Sequence, residues 1–193
     1  MNPKTQYVDA QMKICREQWF KDHRANMLGN PITPAAKVIS WEKPQSLNYG
    51  CRFIIHRRWL CVVGDIGEAV FEWSQDLTLE FLASLDFGYF HSKCRASASG
   101  NKFEQWNPRE AWQSLKQLEQ EYGHDGITKY TKELTTGSCK DEYEYAARKF
   151  YEKTGEAELA SMIVSGGNAP SVHAIGMFVG LKMAIEQLKA NSE

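Results

Sequence analysis

The chain has 193 residues, enough for one domain with a sizeable core, and it contains no Pro/Gly/Ser-rich linker that would divide it. Its 23 lysine and arginine residues nearly balance 24 aspartate and glutamate residues, giving a net charge of −1. This balance excludes a protein that is basic throughout, as many nucleic-acid binders are, and equally an acidic mimic of DNA. The five cysteines form no CxxC pair, so we expect neither a zinc ribbon nor a disulfide framework, but free thiols in the reducing cytoplasm of a bacterial cell.

The N-terminal segment 4–28 is predicted to form one helix. Apolar side chains recur there at helical spacing, and the run Gly29-Asn30-Pro31 supplies a stop. The spaced residues are Val8, Met12, Cys15 and Trp19.

Residues 37–73 are predicted to form a small antiparallel meander of three to four strands. Apolar residues alternate from Tyr49 to Ile55 and again from Trp59 to Val63, as a half-buried sheet requires. Arg57-Arg58 and the run from Gly64 to Gly67 supply the turns.

The remainder, about 76–190, is predicted to be mainly helical. Asn107, Pro108 and Gly123 give the clearest helix boundaries in the chain, and segment 86–107 is expected to contain a strand across Tyr89–Arg95. The other helices are expected at 77–85, 139–153, 156–164 and 171–189. No apolar run reaches the ~18 residues of a membrane span. The sequence therefore predicts a single α+β domain over 1–193, with one helix before the sheet and several packed on it.

Two carboxylates beside glycines, Asp65 and Glu68, are the candidate catalytic groups. With a histidine such as His56 or His91 they could act as acid and base if the turn faced a cleft. A hairpin turn is the simpler interpretation of the same residues. The histidines show no ligand spacing, so we expect neither a metal nor another cofactor.

A second candidate site is the basic and aromatic run from His56 to Trp59. Its interaction candidates are Arg57, Arg58, Trp59, Lys93 and Arg95. Such a cluster can contact phosphates and stack on a base, or anchor a protein interface. The alternative is a polar hairpin tip whose charges discourage association between sheet edges.

Residues in the sheet region resemble a group of uncharacterised phage and prophage proteins with a comparable SWxxP...YxxRF...LxVxGDxGxAxxxW run. The matching positions are Ser40, Trp41, Pro44, Ser46, Tyr49, Arg52–Ile55, Leu60, Val62, Gly64, Asp65, Gly67 and Ala69–Trp73. The closing HAIGMFVGLKMAIEQL is similar to their C-termini, so the resemblance covers about a third of the chain. The resemblance assigns no functional residue to this chain.

Small accessory phage proteins of this kind commonly counter host defences. The resemblance therefore implies a phage-encoded inhibitor that binds a host defence protein or ribonucleoprotein complex, such as a CRISPR effector, as an anti-CRISPR protein does. Direct binding to nucleic acid is the less favoured mode, because the chain is not basic overall. The alternative function is a phage enzyme that modifies or degrades a nucleotide, a signal molecule or a defence protein.

Overall fold

The computed structural model describes residues 3–28, 36–46, 48–98, 103–123, 127 and 140–191. Within them the chain has the predicted α+β class, with a six-stranded antiparallel sheet, a two-stranded ribbon and seven α-helices. It divides into two compact units: the larger holds Tyr7–Phe103 and Pro170–Glu193, and the smaller holds Met1–Gln6 and Glu104–Ala169. A single-domain organisation stays a prediction.

The prediction of one helix over 4–28 is wrong in its last part. Helix α1 spans Pro3–Ile14 and continues as a π-helical turn over Cys15–Trp19, but Arg24–Leu28 form strand β1. The helical spacing of apolar residues stops at Trp19. Beyond it the chain pairs with the next strand, and that tertiary pairing overrides local helix propensity.

The sheet is an antiparallel meander, as predicted, but it has six strands where three to four were expected. Its order along the sheet follows the chain. The strands are β1, β2 (Lys37–Glu42), β3 (Cys51–His56), β4 (Trp59–Gly64), β5 (Ala69–Glu72) and β6 (Cys94–Ser97). β1 and β6 add one strand at each edge of the predicted core.

One face of the sheet is buried under helix α7 (Val172–Ala190). Large side chains such as Trp41, Phe53 and Phe71 are fully buried on this inner face, in one cluster with Ile175 of α7. Ser171 caps α7, as its predicted start requires. Its glycines permit close approach: a Cβ on Gly180 would lie 3.3 Å from both Phe20 and Trp41, and one on Gly176 would lie 3.0 Å from Trp19.

Two short helices, α2 (Leu79–Ser84) and α3 (Phe87–Ser92), lie between β5 and β6. α2 is capped by Thr78, inside the predicted range of 77–85. The strand predicted across Tyr89–Arg95 is wrong over its first half, because Asp86 accepts the Tyr89 N–H at 2.8 Å and starts a helix there.

The smaller unit packs three helices on one core, α4 (Pro108–Tyr122), α5 (Lys140–Thr154) and α6 (Ala157–Gly166). The two-stranded ribbon pairs β7 (Glu104–Trp106) with β8 (Asn168–Pro170), and all of it except Pro170 belongs to the smaller unit. α4 begins and ends as predicted: Asn107 accepts the Arg109 N–H at 3.0 Å, and Gly123 ends the helix with φ of 63°. Residues 138 and 139, the predicted start of α5, lie outside the described residues. Among the described helices, none is both long and apolar enough to cross a membrane.

Candidate interaction surface

The five interaction candidates lie at one end of the sheet, and two of them bind a single carboxylate. We call Arg57, Arg58, Trp59, Lys93 and Arg95 the basic-aromatic edge. Glu72 receives Arg58 Nη2 at 3.0 Å on Oε1 and Arg95 Nε at 3.2 Å on Oε2. Trp59 pairs with Glu72 across the strands, and the Glu72 N–H donates to the Lys93 carbonyl at 3.1 Å.

A β-bulge explains how Arg95 reaches this position. Val70 pairs with Ala96, but the next residue, Phe71, pairs with Cys94, so Arg95 is the extra residue of β6. A bulge redirects the side chain of its extra residue, and here it turns the Arg95 guanidinium toward Glu72.

Cations outnumber the carboxylate at this end of the sheet. The basic-aromatic edge has four cationic side chains, and two of them, Arg58 and Arg95, bind Glu72, whose side chain is only 19% exposed. Each guanidinium carries five N–H donors, so Glu72 fixes both while leaving donors for another acceptor. The aromatic rings hold the other cationic contacts, with Arg58 5.7 Å from the Trp59 ring and Lys93 4.6 Å from the Tyr89 ring.

The hairpin tip adopts a strained backbone. Arg57 has φ of 50°, a left-handed backbone conformation that residues other than glycine rarely adopt. The conformation costs on the order of 1 kcal/mol. The tip is also tied down, since the Arg57 carbonyl accepts the Leu77 N–H at 2.8 Å and the Arg58 carbonyl accepts the Trp73 N–H at 3.0 Å. Arg57 is therefore held in place, not left on a loose loop.

An apolar strip crosses the outer face of the sheet next to this edge. We call Val38, Ile54, Cys61 and Val70 the apolar row. They are paired neighbours on β2, β3, β4 and β5, and each is half-buried. The row lies two residues along the strands from His56, Trp59 and Glu72, so the two features form one continuous surface.

The candidate catalytic carboxylates lie at the opposite end of the sheet. The Asp65 carboxylate accepts the Tyr49 N–H at 2.7 Å, and the Asp65 N–H donates to the Gly50 carbonyl at 2.8 Å. Because Gly64 pairs with Cys51 while His56 pairs with Trp59, the whole of β3, roughly 17 Å, separates Asp65 from His56. Asp65 and His56 are therefore not brought into one site.

Glu68 and His91 likewise make contacts of a structural kind, a backbone hydrogen bond and a ring stack. Glu68 is exposed and its carbonyl accepts the Ala98 N–H at 3.1 Å. His91 stacks on Phe103 with ring centres 4.6 Å apart.

Beside Asp65 lies an open cleft of about 410 Å³ that Glu42 and Arg52 also line. Within the described ranges no three His, Cys, Asp or Glu side chains gather as metal ligands.

Burial keeps three of the cysteine thiols in their unreactive form. Burial raises the pKa of the Cys15 thiol to about 12 and raises the pKa values of Cys51 and Cys94 as well. Since the thiolate is the nucleophile, these shifts oppose nucleophilic catalysis. All four described cysteines are free, as predicted, and Cys139 lies outside the described residues.

The sequence predicts the cations of this surface but not Glu72, the carboxylate at its centre. Glu72 follows Phe71 in an ordinary alternating strand pattern, and nothing local distinguishes it. A search for carboxylates placed opposite Trp59 in the predicted meander would have found it. Comparison with protein-family models, with curated proteins and with solved structures finds no match to this chain.

Proposed function

We propose that this protein is a non-enzymatic inhibitor that binds a host defence protein or complex, such as a CRISPR effector, through the basic-aromatic edge. The observation that supports this most is the gathering of Arg58, Trp59 and Arg95 around Glu72. The defence partner itself comes from the resemblance to phage accessory proteins.

The chemistry of the basic-aromatic edge suits protein recognition. Tryptophan and arginine are the residue types that most often carry binding energy at protein interfaces. Here Arg58 and Arg95 are already held by Glu72, and the backbone of the hairpin tip is held by hydrogen bonds. A surface ordered before binding loses less conformational entropy when the partner docks.

Binding also accounts for Asp65 better than catalysis does. A general base must be within hydrogen-bond reach of the proton it takes, and its partner groups must converge on one cleft. Asp65 instead anchors the Tyr49 loop, with His56 at the far end of β3.

The test is to express the tagged protein at graded levels in a bacterial host with an active CRISPR system and to challenge the cells with phage. Binding predicts that protection rises in proportion to copy number, saturates near one copy per defence complex, and leaves that complex attached to the purified protein. Full protection at far fewer copies, with no retained complex, would contradict the proposal and point to an enzyme.

A further inference from the structure

We propose that the interface extends from the basic-aromatic edge over the apolar row, and that its occupant is a protein surface with an apolar patch bordered by carboxylates. This inference rests on the proposed function and specifies the chemistry of the partner. It concerns the outer face of the sheet, which the core helices do not bury.

The composition of the outer face is unusual for a surface that meets only water. An antiparallel sheet with one solvated face normally places polar side chains there. Here Val38, Ile54, Cys61 and Val70 occupy the middle of that face, and the neighbouring Val63 is 36% exposed. Contiguous apolar side chains on an exposed face are typical of interaction sites.

The charge of the basic-aromatic edge further restricts the class of partner. Three positive charges of the basic-aromatic edge remain after Glu72 is counted. Opposite charges at the border of an apolar patch set the register of a complex and speed its formation. The border of the partner that meets this edge is therefore acidic.

The same features favour a protein over a nucleic acid. Interfaces with nucleic acid are much more positively charged than protein interfaces, with cations distributed along the bound backbone. Here a carboxylate lies between the two guanidinium groups of Arg58 and Arg95, and the apolar row separates them from Arg52, the exposed cation further along β3. Phosphates along the apolar row would lose water without gaining a charged partner.

Strand geometry gives the dimensions of the complementary surface. Four neighbouring strands place the ends of the apolar row about 14 Å apart, and two residues along a strand place the edge about 7 Å from the row. The partner should therefore carry an apolar patch about 14 Å long, with carboxylates about 7 Å from one long side.

Site-specific photo-crosslinking tests the inference in the phage-challenged host. The probe is p-benzoyl-L-phenylalanine, placed singly at Cys61 in the apolar row, at Trp59 in the edge, and at Tyr145 as a control. Tyr145 is 58% exposed on α5 of the smaller unit. Val70 is a second position in the row, to be used if the Cys61 variant does not fold, and thermal melting of each variant establishes folding.

We expect positions 59 and 61 to crosslink the same protein, with at least about tenfold more adduct than position 145. Mass spectrometry should place the site joined to position 61 in an apolar surface patch with Asp or Glu at its border. Adduct at 59 without adduct at 61 and 70 would overturn this inference and leave the proposed function intact. A nuclease-sensitive adduct, or an attachment site without neighbouring carboxylates, would also overturn the inference. Equal crosslinking yields at all positions would contradict both this inference and the proposed binding surface.

Discussion

At the scale of single residues, a substitution of Arg57 should affect stability and binding differently. Its φ of 50° is one that glycine adopts freely, so Arg57→Gly should raise the free energy of unfolding, or leave it unchanged, while removing a charge from the edge. Chemical denaturation should show a gain of up to about 1 kcal/mol, and protection against defence should fall.

Gln45→Gly is the matched control for that change. Gln45 has φ of 63° in the turn between β2 and β3, at the other end of the sheet. Glycine there relieves the same strain without altering the edge, so stability should rise and protection should stay. Equal protection by both variants would show that Arg57 is not part of the interface.

Asp65 is expected to act on stability rather than on activity. Asp65→Ala removes the acceptor that holds the Tyr49 N–H, with Tyr49 itself at φ of 59°, and should cost about 1 to 2 kcal/mol of unfolding free energy. Asp65→Asn keeps an acceptor oxygen and should cost less, and Glu68→Gln should cost nothing measurable. Protection lost in Asp65→Asn and Glu68→Gln, with unchanged melting temperatures, would instead indicate catalytic carboxylates.

His23 should make the protein less stable in mild acid. Its ring is fully buried against Phe20 and Trp41, and neither ring nitrogen forms a hydrogen bond of good geometry to the described residues. Burial lowers the pKa of His23, an effect that the nearby backbone of Tyr49 and Asn48 partly offsets.

The sign of the pH effect follows from the lowered pKa. Below about pH 6.5 the unfolded chain takes up a proton that the folded chain resists, so the free energy of unfolding falls as pH decreases toward the folded pKa. His23→Phe removes this proton uptake, and denaturation curves between pH 7 and 5 should then show a shallower decline than in the parent protein. Parallel declines would contradict the assignment to His23.

At the scale of elements, the bulge and Glu72 should matter more than charge alone. Glu72→Gln adds net positive charge but releases Arg58 and Arg95 from their common anchor. We expect weaker protection, because the two guanidinium groups lose their fixed arrangement, and a stability loss of about 1 kcal/mol or less. Glu68→Gln makes the same charge change at the other end of the sheet and should leave protection unaltered. Stronger protection in Glu72→Gln would show that net charge, not arrangement, controls binding.

The same elements show what sequence patterns can and cannot predict. Alternation identified the strands from Val38 to Trp73, and Asn107 with Pro108 identified α4, because both signals are local. β1 was missed because it is a strand only by pairing with a neighbour, and the strand expected across Tyr89–Arg95 was placed too early because Asp86 starts a helix before β6. The candidate cations were named from sequence, but the meeting of Arg58 and Arg95 at Glu72 depends on a bulge that no local pattern indicates.

At the scale of the whole molecule, the near-neutral net charge leaves recognition to local surfaces. The charged edge and the apolar row both belong to the larger unit, whereas the smaller unit carries its own exposed cations on α5. Substitutions in the smaller unit can therefore serve as controls for substitutions at the edge.

The most direct measurement compares two double charge reversals, Arg57→Glu with Arg58→Glu, and Lys140→Glu with Lys149→Glu. Both change the net charge equally, and all four side chains lie on the surface. Protection against an active defence system is measured per copy of protein, alongside the melting temperature. The edge variant should lose about tenfold or more of its protection while the control keeps it, with both melting near the parent temperature. Full protection by a folded edge variant, or an equal loss in both, would contradict binding through this surface.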